Sequence, residues 1–323
     1  IGTGDPAPEE FPVFTRLRLH RAMGDRVRIG ALMESPSVTG AVTMTAIPGE
    51  PTVTEMTVVL FPRITLSSAG IAPLTSMFLK GPIRAATSDD FRPAVHDSTA
   101  LAVINGAGER LWRPLTNPAR LQTSALLDSG PAGFGLIQSA RAFADFEDPE
   151  AQYHRRPSAW VEPLGDWGEG AVSLVEIPTA DEFMDNIVAF WRPAAPLVVG
   201  GEYRFAYRVH WGARVRPSSS EMASVVQSRS GRVHDRPGQL QYVVDFALPE
   251  GVEAMPDLSV SGAEALGLSA YRLAPRGHLR TGFRLAPGAA EAAEVRLVLR
   301  DAAGRPLSDV WLHRWTRARD GGV

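Results

Sequence analysis

A chain of 323 residues with 44% hydrophobic and 21% charged residues has the balance of an ordinary folded protein with a sizeable core, and its length suits two domains better than one. A net charge of −3 and the lack of any Lys/Arg cluster argue against a nucleic-acid partner. Cysteine is absent, which excludes a disulfide framework, a thiol nucleophile and a cysteine metal site.

The seven histidines are scattered, without HxH or HExxH spacing, so neither a metal site nor a cofactor is expected. Lysine is confined to Lys80, and arginine supplies the remaining positive charge. Planar guanidinium forks suit polar ligands, although a GC-rich genome produces the same bias. No apolar run approaches the ~18 residues of a membrane span. No signal peptide opens the chain, and Ile1 is not expected to be a native start, so the beginning of the precursor is expected to be missing.

Residues 1–12, IGTGDPAPEEFP, read as a loop. Period-two alternation then predicts strands at Phe14–Leu19, Val27–Leu32, Gly40–Ile47 and Thr52–Phe61, with a hairpin turn at Ile47-Pro48-Gly49-Glu50-Pro51. Ala72–Leu79 reads as a short helix or a buried loop, and Ser88–Pro93 as a polar loop leading into Val95-His96-Asp97-Ser98. Further strands are expected at Leu101–Ile104, Arg110–Trp112, Gly133–Gln138, Trp160–Pro163 and Ala171–Ile177, with Arg141–Arg156 as an aromatic, polar loop. The stretch Pro178–Trp191, PTADEFMDNIVAFW, sets Asp181, Glu182, Asp185 and Asn186 against the apolar run Ile187–Trp191. Acids beside a run that wants burial are expected to have raised pKa values.

Arg192-Pro193-Ala194-Ala195-Pro196 reads as a linker. Beyond it, strands are expected at Tyr203–Trp211, Gln241–Phe246, Leu258–Val260, Leu279–Leu285, Val295–Leu299 and Val310–Leu312, a spacing that suggests an immunoglobulin-like sandwich. No long amphipathic helix and no repeat interrupts this pattern. The expected fold is all-β, with a first domain over 1–193 and a second over 194–323.

With thiols and metals set aside, the chemistry falls to carboxylates. GxSxG, P-loop and dinucleotide fingerprints are absent. Glycosidic bond hydrolysis needs two carboxyls, one protonated to assist the leaving oxygen and one to activate water or attack. Asp185 could take such a role, but from the residues alone reads first as a strand-entry acid bonded to nearby backbone; Asp97 could too, but reads first as an Asx turn. Trp112, Trp160 and Trp167 could stack on sugar rings or pack in a core. Arg155-Arg156 could hold a ligand or be a solvated pair, and Glu162 and Asp166 read as surface or turn acids.

Several runs in unbroken order resemble the periplasmic glucan biosynthesis proteins of the OpgG/OpgD (MdoG) type: APLTSMF at 72–78, RPAVHDS at 92–98, WRPL at 112–115, GFGL at 133–136, YHRRPSAWV at 153–161, GDWG at 165–168 and DNIVAFW at 185–191. The resemblance implies a large galactose-mutarotase-like β-sandwich, lacking the family's N-terminal portion here, followed by an immunoglobulin-like β-sandwich. It implies a periplasmic enzyme acting on β-1,2-glucan in osmoregulated periplasmic glucan synthesis, by inverting hydrolysis or by inverting transglycosylation that closes the glucan through an α-1,6 bond. In that reading Asp185 is the general acid and Asp97 the general base. Glu182, His96, Trp112, Arg113, Tyr153, Arg155, Trp160 and Trp167 are the expected substrate contacts. A membrane glucan synthase is the further partner such proteins suggest, and a homodimer is left open. Two positions depart from the family: VHDS is commonly followed by Asp-Gly, where this chain has Thr99-Ala100, and Met184 stands where Asn is common. A weakened route to water would favour transfer to a sugar hydroxyl. The competing readings are a non-catalytic glucan-binding scaffold for the synthase and a mutarotase-like epimerase inherited from fold alone.

Overall fold

Side chains that alternate in polarity along an extended chain face opposite sides, and nearly every ordered segment of this protein uses that alternation. The computed structural model describes residues 1–4, 8–83, 90–219, 221–274 and 277–321; Ser88 and Asp89 of the expected polar loop lie outside the described residues. The first strands are β1 (Val13–Leu19), β2 (Val27–Glu34), β3 (Val38–Ile47), β4 (Thr52–Pro62), β5 (Ile71–Ser76), β6 (Phe78–Lys80), β7 (Val95–His96), β8 (Ala100–Ile104) and β9 (Arg110–Pro114). Next come β10 (Gln122–Asp128), β11 (Gly133–Ile137), β12 (Ser158–Leu164), β13 (Gly170–Glu176), β14 (Ile187–Pro193) and β15 (Tyr203–Gly212). The last are β16 (Ser224–Arg232), β17 (Leu240–Ala247), β18 (Met255–Ser261), β19 (Glu264–Leu273), β20 (His278–Ala286), β21 (Ala292–Arg300) and β22 (Val310–Thr316). A single helical turn, Arg317–Asp320, and two 3₁₀ turns, Phe143–Asp145 and Tyr153–Arg155, are the helical segments among the described residues. The chain is all-β.

A twelve-stranded sheet runs β1-β2-β3-β4-β15-β12-β11-β8-β9-β22-β21-β18. A four-stranded sheet, β10-β13-β14-β5, packs on its first part. The shared core takes Val172, Leu174, Ile187, Ala189 and Trp191 from the small sheet and Phe134, Leu136, Val161, Phe205, Tyr207 and Val209 from the large one. A second four-stranded sheet, β16-β17-β20-β19, faces β18, β21 and β22 across another core, where the Tyr242 ring stacks on Phe283 and meets Trp311 edge-on. The twelve-stranded sheet is continuous across both cores, because β22 pairs in parallel with β9 at Val310↔Leu111 and Trp311↔Trp112.

β15 follows the proline-rich stretch at 192–196, yet it pairs with β4 on one side and β12 on the other. A division of the chain at residue 193 therefore separates β15 from both of its hydrogen-bonded neighbours. At 72–79 the chain forms neither helix nor loop but β5 and β6, because Ile187, Val188 and Ala189 of β14 pair with Ser76, Thr75 and Leu74. The short strand β6 pairs with β7 at Phe78↔His96. These two pairings bring residues near 77, 97 and 186 into one place.

Candidate active site

Asp97 is the first residue after β7, and Asp185 lies two residues before β14. The link between them is made by polar side chains and one backbone bond. Asn186, fully buried, accepts a hydrogen bond from Phe78 N–H through Oδ1 (2.7 Å) and donates through Nδ2 to the carbonyls of Phe78 (3.0 Å) and Ile177 (3.0 Å). One residue earlier, Met77 offers its carbonyl to the Asp97 N–H (2.9 Å). Asp97 is thus held directly, and Asp185 through the next residue, by the same two-residue segment, Met77-Phe78.

The two carboxylates differ in setting. The Asp97 side chain is 27% exposed, and its Oδ1 lies 3.2 Å from Arg156 Nε without an aligned hydrogen bond. Partial burial raises the Asp97 pKa, the Arg156 guanidinium opposes that rise, and the negative charge of Asp185 adds to it. Asp185 itself is exposed. The apolar run beside it is buried, but the burial begins at Asn186, so the expected shielding of Asp185 is not met in the free protein.

A charged network flanks the pair. Arg92 donates to Asp90, to Asp148 Oδ2 (2.7 Å) and to Glu182 Oε2 (2.8 Å), and the Tyr153 hydroxyl donates to the same Glu182 oxygen (2.8 Å). Asp148 shapes the loop that delivers Tyr153: its Oδ1 accepts the N–H groups of Glu150 (2.9 Å) and Ala151 (2.7 Å). Burial opposes ionisation of Asp148, but the Arg92 guanidinium and those N–H groups outweigh it and hold its pKa below the usual carboxylate value. Burial and the Glu182 carboxylate both push the Tyr153 pKa upward, keeping the phenol a donor. The Arg156 guanidinium lies 5.6 Å over the Tyr153 ring, closing the circuit back to Asp97.

The structure brings together Asp97, Asp185, Glu182 and Tyr153 from the expected set, and it places the others elsewhere. His96 is 1% exposed, stacked on Phe78 and edge-on to Phe146, with Gln138 donating to its carbonyl. Burial pushes its pKa down to about 3, so it stays neutral. Trp112, Trp160 and Trp167 are buried: the first two belong to the C-terminal core and Trp167 packs against Trp191, Phe205 and Tyr207. Trp167 turns inward because Gly165 and Gly168 take positive φ (92° and 71°) in the tight turn between β12 and β13, where Asp166 accepts the Gly168 N–H. None of these three rings offers a face to a ligand. Arg113 is also interior, 3.6 Å from buried Glu176, and Arg155 is an exposed side chain bonded to Gln152.

Sequence reasoning passed over Arg92, Asp148 and Asn186 as functional supports and left Arg156 as an undecided half of a pair. It also passed over the exposed rings Phe183 (91%) and Phe91 (81%), which sit beside Glu182 and Arg92. A readable signal existed for these two, since each is an aromatic inside an acidic, polar loop with no alternation to bury it. Among the described residues, no group of three or more His, Asp or Glu is placed to hold a metal ion.

The family model described as Periplasmic glucan biosynthesis protein, MdoG, matches residues 1–315. Glucans biosynthesis protein G of Vibrio cholerae serotype O1 is 45% identical over 323 residues, covering 98% of this chain. The protein of that name from Shewanella sp. strain ANA-3 is 43% identical over 325 residues, and that from Shewanella putrefaciens is 44% identical over 326, each again covering 98% of this chain. The chain spans 59% of the length of these relatives.

Proposed function

Because the chain belongs to the periplasmic glucan biosynthesis protein (MdoG) family, we propose that it acts as an enzyme on β-1,2-glucan, with Asp97 and Asp185 as the paired carboxyls of an inverting reaction. The family places it in the periplasm. The observation that supports this reading most is the convergence of two acids, far apart in sequence, on either side of the Met77-Phe78 segment, close enough for the charge of one to act on the other.

In the forward step Asp185 gives its proton to the glycosidic oxygen as the C1–O bond breaks and the bonding pair leaves with that oxygen. Asp97 takes the proton of the incoming hydroxyl, directly or through substrate hydroxyls and water, and the oxygen pair of that hydroxyl forms the new bond to C1 from the opposite face. Water as the incoming group gives hydrolysis; a 6-hydroxyl of the same glucan gives a ring closed through an α-1,6 bond. Exposure of Asp185 leaves its carboxyl open to a bound glucan, as the acid role requires. Thr99 stands where the family commonly carries Asp, and its hydroxyl is taken up by Gln138 and the Ser139 N–H rather than by Asp97. One fewer acid near the base favours a sugar hydroxyl over water as acceptor.

The test is the product profile on linear β-1,2-glucan, resolved by mass. Shorter linear chains mean hydrolysis, and products lacking the mass of one water mean cyclisation. Asp185→Asn is expected to lower turnover on the order of 10²–10⁴-fold while glucan binding persists. No change in glucan of any length, with binding retained, would leave a glucan-binding scaffold as the function.

A second reading reverses the two roles, and the raised pKa of Asp97 favours it. A glucan carrying an aryl leaving group separates the two assignments. Loss of the acid is tolerated with such a substrate, whereas loss of the base is not, so the variant that keeps turnover, Asp185→Asn or Asp97→Asn, identifies the acid.

A further inference from the structure

We infer that Asn117 and Asn186 are positioning residues that set the gap between the two carboxylates by stapling the acid-bearing loop, residues 177–186, to β6. The inference rests on the proposed pairing of Asp97 with Asp185 and goes one step further, to what holds that pair in register.

The loop has little else to hold it. Asp181, Phe183, Met184 and Asp185 are exposed; inside the loop the bonds are short-range, Thr179 Oγ1 to the Asp181 carbonyl and Phe183 N–H to Asp181 Oδ1, and across its base the Ile177 N–H donates to the Asn186 carbonyl (2.8 Å). It therefore buries too little apolar surface to fix its own shape. Two asparagines do that work from its two ends. At the start, Asn117 Nδ2 donates to the carbonyls of Thr179 (2.8 Å) and Leu79 (3.2 Å), while its Oδ1 accepts the Thr179 N–H (3.0 Å). At the end, Asn186 makes the three bonds to Phe78 and Ile177 described above. Both amides reach β6, at consecutive residues. An amide carries a donor and an acceptor on one planar group, so it bonds to a strand's backbone as another strand would. Between the two staples, Glu182 tethers the loop through Arg92 and Tyr153.

β6 is paired in turn with β7, and Met77 holds the Asp97 N–H. The route from one carboxylate to the other is Asp185, Asn186, Phe78, Met77, Asp97, with a side-chain staple at one joint and a backbone bond at the other. Loss of either staple lets the loop drift from β6, so that Asp185 moves away from Asp97 and more water reaches Asp97. Asp97 faces Arg156, Asp185 and Tyr153, with Glu182 and Arg92 behind the tyrosine. Removing the like charge of Asp185 and adding water both lower the Asp97 pKa.

The test uses Asn117→Ala, which removes only part-buried bonds, and Asn186→Ala, with folding checked by thermal unfolding. Two readouts are taken: kcat and KM on linear β-1,2-glucan, and the Asp97 titration followed by carboxyl carbon-13 NMR. The expected result is a kcat lowered about 10–100-fold with KM changed less than about threefold, and an Asp97 titration displaced to lower pH. A folded Asn117→Ala protein whose Asp97 titrates as in the wild type overturns the inference, whatever its activity. If Asn186→Ala fails to fold, Asn117→Ala decides alone. If the wild-type protein and Asp185→Asn act identically on glucan, the proposed reaction fails, and the Asp97 titration still decides whether the staples set the gap.

Discussion

Residues 177–186 and the interior around the buried tryptophans are held in place by different forces. The loop carries exposed Phe183, Met184 and Asp185 and is fixed by amide, carboxylate and guanidinium bonds to its surroundings. The interior is fixed by burial. Trp160, Trp191, Trp311 and Trp315 are each at most 1% exposed, and Trp191, Trp311 and Trp315 leave their indole N–H groups without a partner. An unpaired buried N–H costs about 1–3 kcal/mol, whereas burying an indole of some 150–250 Å² is worth about 4–6 kcal/mol at ~25 cal/mol per Å², so the ring wins. Directional bonds define where the acids stand and contribute little net stability; ring burial contributes the stability and no ligand contact. Reading both sets of residues as one glucan site merged two kinds of structure.

The sharpest way to break this contrast is Trp160→Ala. It is expected to cost about 3–5 kcal/mol in chemical unfolding while the folded fraction keeps its glucan affinity; a selective loss of binding in a protein of normal stability would return Trp160 to the site. Next in size, Arg92→Ala leaves Asp148 and Glu182 without their shared cation. It is expected to lower stability by about 2–3 kcal/mol and turnover together, and unchanged turnover would detach the network from the acids. Hydrogen bonds from Arg92 hold the Asp90 pKa at about 2, below its unfolded value. That pair therefore contributes stability present above about pH 4 and lost as pH falls through about 2. Unfolding curves between pH 5 and 2 should show an acid-sensitive component in the wild type that is missing in Asp90→Asn, and parallel curves would count against it. The smallest effect is assigned to Phe183→Ala. If its exposed ring is where a sugar stacks, glucan affinity falls by about 0.5–1.5 kcal/mol, roughly 2–10-fold in Kd by calorimetry, with stability unchanged. Equal affinity would leave the ring without a ligand role.

Most interior strands were readable from alternation alone, as in Tyr203–Trp211 and Val295–Leu299. Of the strands that reading missed, β10, β16 and β19 are each at the edge of a four-stranded sheet, and β6 and β7 form a two-stranded sheet. An edge strand such as β19, exposed along nearly its whole length, has few side chains to bury and so no composition that enforces a period of two. β5, misread as helix or loop, is an edge strand as well. The proposed site was legible in its carboxylates and opaque in its supports, because the asparagine, arginine and aspartate that brace them bond to backbone or to each other across about 30–110 residues. Nothing local in the chain marks such a partner.

Composition and alternation were enough to make the chain all-β and metal-free in expectation, and ordered motifs were enough to place it in its family and to single out Asp97 and Asp185. Tertiary structure alone decided that these two acids come within range of each other's charge, that Asp97 is the shielded one and Asp185 the exposed one, that β15 belongs in the middle of the large sheet, and that the tryptophans face inward. The physical reason is common to all four. Residue type sets what a side chain can do, but its solvent exposure and its neighbours' charge depend on strand pairings between distant segments, and those exist only once the sheets have closed.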